Sequence, residues 1–371
     1  MKSTGVICEY NPFHNGHLYQ LKKIKEMYPE DIIIVVLNGY FLERGIVSLE
    51  SKEEKTRLAL KYGADIVIEL PFVFGSNSAD IFSFGALELL NALGVNRLVF
   101  GSESNNIDNL IKGAKNQLED NFSDILKGYL DDGVNYPTAV AKASGVNIKD
   151  PNDILGISYI KTIISNEYDI EPICIKRTNN YHDIDSNDYI VSADNIRTKL
   201  KNKQNINKYI PEGKILSIDD DLLFKLLKYK VNTSTNLEEL LTVDEGIDNK
   251  LRKEINKVNN IEDLIMKIKT KRYTYNRIRR MFIHILLNFS KEDRELLHSN
   301  EYIRLLGFSE NGKKYISDTK EYFKLPLVTK VTNLDSKIFE YEIRAASLYQ
   351  LLTDSNVLDF EYSNKPIKKE N

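Results

Sequence analysis

Two histidines, His14 and His17, flank Asn15 and Gly16 near the start of a 371-residue chain. A strand-like stretch, residues 4–10, precedes them, and Asn11-Pro12-Phe13 reads as a turn. Leu18, Leu21 and Ile24 then recur at helical spacing, which predicts a helix over residues 16–27. A helix start has unpaired N–H groups and a partial positive charge, so it draws phosphate oxygens. Two imidazoles there can add hydrogen bonds to an α-phosphate and to departing pyrophosphate. Gly16 lets the backbone approach a nucleotide with no Cβ in the way. The chemistry implied is displacement at phosphorus, carried by positioning and charge stabilisation. A turn histidine is more often a polar surface group. The strand–turn–helix setting favours the phosphate reading.

Other residues could complete such a site. Gly101-Ser102-Glu103-Ser104 follows a strand ending at Phe100, and a glycine there lets a ligand ring lie against the backbone. Ser192 reads as the N-cap of a helix whose Arg197 could hold outer phosphates, although any capped helix would look the same. Arg177 ends a strand and Asn152 begins a helix, so each is a site candidate or a surface residue. Arg44 lies on a loop expected to face the same site. His182, His284 and His298 lack partners at metal-ligand spacing and read as structural or surface residues, and no metal site is expected.

Residues 267–280 form a second feature. Lys267, Lys269, Lys271, Arg272, Arg277, Arg279 and Arg280 fall there with no acid among them, and Tyr273 and Tyr275 are interleaved. Such a segment can neutralise backbone phosphates and stack on unpaired bases. The bland alternative is a solvated helix face balanced by Glu262 and Asp263. The RNA reading is preferred, with Lys271, Arg272, Tyr273, Tyr275, Arg277 and Arg280 as its contacts.

The elements that must position these residues alternate in the first half. Strands are expected at 4–10, 31–37, 64–70, 96–100 and 171–177, with helices between them. Runs such as Ile32-Ile33-Ile34-Val35-Val36 suit parallel strands covered on both faces. The pattern predicts an α/β fold with a doubly wound parallel sheet and ligand at the strands' carboxyl ends. It is similar to the Rossmann-like nucleotidyltransferase and HUP sheet, and His14-Asn15-Gly16-His17 is similar to the phosphate-handling turn of nucleotidyltransferases and class I aminoacyl-tRNA synthetases. A polar stretch with Pro211 and Gly213 marks a boundary. Two domains are expected, 1–205 catalytic and 206–371 mainly α-helical, with one short strand or turn element at 324–331.

Composition excludes several classes. Hydrophobic content of 42% and charged content of 28% describe a globular protein, and a net charge of −3 rules out a uniformly basic nucleic-acid binder. No secretory signal or membrane-length apolar run is present, so a cytoplasmic protein is expected. Cys8 and Cys174 are too few and too distant for a disulfide framework and are expected to be buried small hydrophobes.

Several blocks carry a resemblance. They include Glu9-Tyr10-Asn11-Pro12-Phe13-His14-Asn15-Gly16-His17, Gly63-Ala64-Asp65-Ile66-Val67-Ile68-Glu69-Leu70-Pro71-Phe72 and Leu90-Asn91-Ala92-Leu93-Gly94-Val95. Val99-Phe100-Gly101-Ser102-Glu103, Pro151-Asn152-Asp153-Ile154-Leu155-Gly156, Thr270-Lys271-Arg272-Tyr273-Thr274-Tyr275-Asn276-Arg277-Ile278 and Tyr302-Ile303-Arg304-Leu305-Leu306-Gly307-Phe308 follow in order. With these blocks the chain resembles the tRNA(Met) cytidine acetate ligase family, bacterial enzymes that make N4-acetylcytidine at the wobble position of elongator tRNA(Met). The resemblance implies ATP as substrate, Mg²⁺ carried by ATP, and acetate and elongator tRNA(Met) as partners. It implies ATP contacts from Ile7, Cys8, Glu9, Tyr10, Asn11, Pro12, Phe13, His14, Asn15, Gly16, His17, Leu18, Tyr19 and Gln20, and from Gly101, Asn152 and Arg177. His14, His17 and Arg44 are the expected catalytic residues. One loop departs from the family's Ser-Gly-x-Phe-x-Gln-Arg-Gly pattern, with Asn38 and Glu43 in place of the serine and glutamine. Two rival functions are an adenylyltransferase or acetate ligase acting on a small molecule or protein thiol, and a non-catalytic RNA-binding factor.

Overall fold

The computed structural model describes residues 1–370 except 135, 147, 178–187, 332–333 and 364. Its centre is β2 (Ile32–Asn38), buried at every position. β1 (Ser3–Cys8) pairs with β2 in parallel, from Ser3 opposite Ile32 to Cys8 opposite Leu37. β3 (Ile66–Leu70) pairs with the other edge of β2. β4 (Arg97–Ser102) lies parallel to β1, and β5 (Glu171–Lys176) parallel to β4. Successive β2 side chains serve opposite faces. Ile32, Ile34 and Val36 pack with Phe82, Ala86 and Leu90 of the helix Ala79–Ala92. Ile33, Val35 and Leu37 pack with Leu21 and Ile24 of Asn15–Met27 and with Leu58 and Ala59 of Lys52–Lys61. The sheet is therefore doubly wound. Its strand order, β5-β4-β1-β2-β3, reverses direction at β1 and β4, and the crevice at their carboxyl ends is the switch point where such sheets take ligands.

Two expectations need correction. The sheet is mixed rather than wholly parallel, because β6 (Ile303–Phe308) joins β3 antiparallel. β7 (Leu327–Val328) and β8 (Ile367–Lys368) then pair with β6. The stretch after residue 206 thus supplies strands to this sheet as well as helices. β6 escapes notice in the sequence because Arg304 interrupts its apolar run. Cys8 is buried as expected, but Cys174 is only half-buried, because β5 is an edge strand. No helix among the described residues is long and apolar enough to cross a membrane.

The interrupting arginine belongs to a buried charge cluster. Lys52, Glu69, Arg304, Glu342 and Glu361 are all 0–1% exposed. Lys52 Nζ lies 3.0 Å from Glu342 and 2.9 Å from Glu361, and also contacts Glu69. Arg304 spans Glu69 at 3.1 Å and Glu361 at 2.5 Å. The cluster joins the helix Lys52–Lys61, β3 and β6 to the helices Lys337–Thr353 and Leu358–Ser363.

Candidate active site

His14 is the N-cap of the helix Asn15–Met27, and the two histidines form its capping box. His14 Nδ1 accepts from the Gly16 N–H at 3.0 Å, and His17 Nδ1 accepts from the His14 N–H at 3.2 Å. A ring nitrogen that accepts is unprotonated, so each neutral imidazole carries its proton on Nε2. The rings stack with centroids 3.8 Å apart. Burial, with Arg177 and Arg197 beside it, lowers the His14 pKa to about 3. Burial, His14 and Arg177 hold His17 well below its ordinary value. The free site therefore offers phosphate two neutral Nε2–H donors.

The expected bare helix terminus is not there. The Asn15 N–H donates to the Tyr209 carbonyl at 2.9 Å, Gly16 donates to His14 Nδ1, and the His17 and Leu18 N–H groups donate to the His14 carbonyl. The imidazoles and arginines, not the backbone, are left to meet phosphate. Gly16 also has a different reason from the one expected. A Cβ there would lie 2.7 Å from His14 Cε1 and 2.9 Å from Nδ1, so the glycine makes room for the ring.

The two pKa directions fix a pH dependence. For acetate-dependent ATP–pyrophosphate exchange, the reaction the resemblance implies, kcat/KM reports groups of the free protein. It should show no histidine inflection near pH 6.5, because both rings are already neutral there. A rate loss centred on that pH in wild type, abolished in His14→Asn, would contradict the buried, neutral pair.

A cavity of about 510 Å³ opens at the switch point. It brings together Ile7, Cys8, Glu9, Tyr10, Asn11, His14, His17 and Gln20 with Gly101, Asn152, Arg177, Ser192, Arg197 and Arg44. Gly16 and Tyr19 line a smaller adjoining cavity with Arg177. Pro12, Phe13, Asn15 and Leu18 line neither. Phe13 is buried and its N–H donates to Glu50 at 2.7 Å. Asn15 donates to the carbonyls of Tyr189 and Lys208, both at 2.9 Å, and Leu18 packs in the core. These four hold the turn in place.

Residues that were not singled out set the geometry of those that were. Glu103 accepts from Asn152 Nδ2 at 2.5 Å and from the Asp153 N–H at 3.1 Å, and lies 3.7 Å from Arg177 Nε. Arg177 also donates to Asn152 at 3.4 Å. Asp153 accepts the Glu103 and Ser104 N–H groups at 3.1 and 3.0 Å, together with the Ser102 hydroxyl. The Ser192 hydroxyl accepts from the Asn195 N–H at 3.2 Å and caps the helix Ala193–Lys201. Arg197 donates to the Asn11 carbonyl at 2.9 Å and pairs with Asp194 at 3.0 Å, tying that helix to the histidine turn. Burial lowers the pKa of Arg177 and of Arg197, but an arginine keeps its proton. Lys55 is fully buried and donates to the carbonyls of Glu9 at 3.0 Å and of Asn38 and Gly39 at 2.6 Å, joining the ends of β1 and β2. Burial lowers its pKa to about 8.

The departing loop residues have partners of their own. Asn38 Nδ2 donates to Glu9 at 3.2 Å and to the Gly75 carbonyl at 2.8 Å. The Glu43 N–H donates to Glu9 at 2.7 Å, and the Glu43 carboxylate pairs with Arg280 at 3.0 Å. Arg280 comes from the helix Tyr275–Leu286, which docks directly on this loop. Gly45 has φ +68°, and a Cβ there would strike the backbone of Arg279 and Arg280.

The basic segment therefore divides. Lys271 and Arg272 are exposed, and Arg272 pairs with Glu245 at 3.1 Å on the surface. Arg277 is half-buried, with its guanidinium 4.1 Å from the centre of the Tyr273 ring. Arg280 is committed to Glu43. Tyr273, expected to stack on a base, is 3% exposed, and its hydroxyl lies 3.1 and 2.9 Å from the Thr242 and Asp244 carbonyls. It is a core residue and cannot serve that role. His284 is structural as expected, with Nε2 2.8 Å from the Ser76 carbonyl and Nδ1 3.2 Å from the Thr242 hydroxyl. His298 is exposed, and His182 lies outside the described residues.

The whole chain has close relatives. A family model described as HIGH Nucleotidyl Transferase matches residues 1–364. A tRNA(Met) cytidine acetate ligase of Geobacillus sp. (strain WCH70) is 38% identical, with 99% of this chain and 100% of that one covered. Its counterpart in Bacillus subtilis (strain 168) is 33% identical, with 99% and 97% covered. Two crystal structures of Thermotoga maritima TmcAL superpose over the full length of both chains at 28% identity. The one bound with alpha-thio ATP gives a TM-score of 0.87, and the apo form 0.89.

Proposed function

The chain belongs to the tRNA(Met) cytidine acetate ligase family, and from that premise we propose how its own residues divide the reaction. It is a ligase that uses ATP to join acetate to a cytidine of tRNA(Met). In the first step an acetate oxygen attacks the α-phosphorus of ATP in line. The bond to the β-phosphate breaks, and pyrophosphate leaves with its electron pair. Adenylation is needed because a free carboxylate is a poor acyl donor. The Nε2–H groups of His14 and His17 donate to the phosphate oxygens as charge builds there. Arg177, Arg197 and Arg44 supply fixed positive charge around the same cavity. In the second step the N4 lone pair of the wobble cytidine of elongator tRNA(Met) attacks the acetyl carbon. The acyl–phosphate bond breaks, AMP leaves, and the surplus N4 proton passes to water.

Mg²⁺ would arrive on the nucleotide, whose phosphate oxygens are its natural ligands. Among the described residues no group of three or more His, Cys, Asp or Glu side chains is arranged to hold a metal ion. The cytoplasm, where tRNA is modified, is the proposed compartment.

The observation that carries this reading is the stacked histidine pair with both Nε2 protons fixed by the backbone, in one cavity with three arginines. The test is mass analysis of nucleosides from elongator tRNA(Met) incubated with protein, ATP and labelled acetate. N4-acetylcytidine should form with one AMP and one pyrophosphate per acetyl group. Release of ADP and phosphate would point to an acetyl-phosphate route and sink the adenylation step.

Exposed Lys271 and Arg272 remain for RNA backbone contacts. Changing both to alanine should weaken tRNA binding and flatten the log–log salt slope by about 0.7–0.9 per lost phosphate contact. An unchanged slope in a filter-binding titration would assign the tRNA backbone to another surface.

A further inference from the structure

A second cavity, of about 470 Å³, adjoins the catalytic one. The two share Arg44, Ile46, Asp194, Arg197 and Asn276 in their linings, so they meet at a neck between the loop around Arg44 and the helix Tyr275–Leu286. Beyond the neck the wall is made by Tyr275 and Arg279, one turn apart on that helix, and by Glu262 from the helix Ile261–Ile268. The tyrosine is held in place. Its hydroxyl lies 2.7 and 2.6 Å from the Glu262 carboxylate oxygens, and Arg279 donates to both groups at 3.1 Å. Tyr275 is half-buried, with part of its surface facing the cavity.

The charge of this cavity is balanced. Arg44, Arg197, Lys201 and Arg279 are offset by Asp194, Asp220, Asp221 and Glu262. A balanced lining does not gather phosphates, but a fixed aromatic side chain within it suits a neutral nucleobase, which stacks whatever its sequence. Asn276 stands at the neck, half-buried, and its side-chain amide makes no hydrogen bond among the described residues. An amide offers a donor and an acceptor side by side. Cytosine presents the complementary pair, an N3 acceptor beside an N4–H donor. Such a contact occupies one N4 proton and leaves the nitrogen free to attack.

We propose that this second cavity is the subsite for single-stranded RNA beside the target cytidine. A neighbouring base rests on Tyr275, and Asn276 hydrogen-bonds the cytosine as it passes the neck to the acetyl-adenylate. The exposed Lys271 and Arg272 lie just before that helix, where the strand's phosphates would run. The assignment rests on the tRNA-acetylating reading above.

The experiment compares Tyr275→Ala, Tyr275→Phe and Asn276→Ala in two assays of the full-length protein. One is acetyl transfer to an anticodon stem–loop carrying the wobble cytidine. The other is acetate-dependent ATP–pyrophosphate exchange. Tyr275→Ala should raise KM for the RNA about tenfold, the size of one lost base stack. Tyr275→Phe keeps the ring and should restore most of that KM. Asn276→Ala should lower the ratio of transfer kcat to exchange rate about tenfold. Wild-type RNA kinetics in both alanine variants would overturn the subsite. So would parallel losses of exchange and transfer, since these would place both residues in the nucleotide site. Failure of wild type to acetylate any tRNA, with exchange intact, would overturn the underlying reading instead.

Discussion

His17→Ala should slow acetate-dependent ATP–pyrophosphate exchange by ~10²-fold or more, the usual loss when a donor aimed at developing charge is removed. The substitution removes three things together: the Nε2–H donor, the Nδ1 acceptor that holds the His14 N–H, and the ring stacked on His14. Companion variants separate them. His17→Asn keeps an acceptor near the Nδ1 position and lacks a donor at the Nε2 position, so it should recover stability but not rate. His17→Gln can place an amide N–H near the Nε2 position and should recover part of the rate. The stability loss in the alanine variant should be near that of a lost helix cap, about 1 kcal/mol. A rate in His17→Ala equal to wild type would take the histidine pair out of the chemistry. Recovery of rate in His17→Asn would make the capping box the important part and the Nε2 proton irrelevant.

That experiment also marks where reading the sequence stops. The strand, turn and helix around His14 and His17 are local features, set by residues within a turn or two of one another, and they are legible. The β2 run reads as a covered parallel strand because apolar residues on both faces leave no other stable place for it. The state of the helix terminus is not local. Tyr209 closes the Asn15 N–H from nearly two hundred residues away, and no motif announces that contact. Glu103 fixes Asn152 and Arg177, and Asp153 holds the Glu103 N–H, through contacts that also join distant stretches: the end of β4, the helix Pro151–Ser165 and the residue after β5. Tyr273 looks like Tyr275 in sequence, yet one is core and the other lines a cavity. Tyr273 lies in the bend before the helix that Tyr275 opens, and only packing against neighbours that sequence spacing does not reveal tells them apart. Arg304 misleads for the same reason. An arginine inside an apolar run argues against a buried strand unless its charge is met, and its partners come from β3 and from the helix Leu358–Ser363.

The same cluster carries the largest expected effect on stability. Lys52→Met should destabilise the fold by about 3–5 kcal/mol, as expected for removing one partner from a buried ion network. Lys52 and Arg304 face three carboxylates. Burial, helped by Glu69, pushes Glu342 up to about 8. Glu361 is held down to about 2 because Arg304 and Lys52 outweigh its burial. A proton on Glu342 therefore balances two cations against two carboxylates at neutral pH. Loss of Lys52 leaves one buried negative charge uncompensated. The sign of the pH dependence follows. Glu342 has a raised folded pKa, so its contribution is complete below the unfolded value of 4.5 and is lost as pH rises through about 8. Glu361 has a lowered one, so its contribution is lost as pH falls from 4.5 through about 2. Glu342→Gln should match wild type in urea midpoint near pH 4 and exceed it by a growing margin from there to about pH 8, because an amide needs no proton to stay neutral. The cluster also reaches the active site. The Tyr40 hydroxyl bonds Glu361, the Lys52 ammonium lies 4.6 Å from the centre of the Tyr40 ring, and Tyr40 begins the loop that carries Glu43 and Arg44. Lys52→Met should therefore slow adenylation even at temperatures where it stays folded. A wild-type urea midpoint in Lys52→Met would mean that the three carboxylates are already neutralised without it. Loss of stability with a wild-type exchange rate would mean that the loop keeps its place independently of the cluster beneath it.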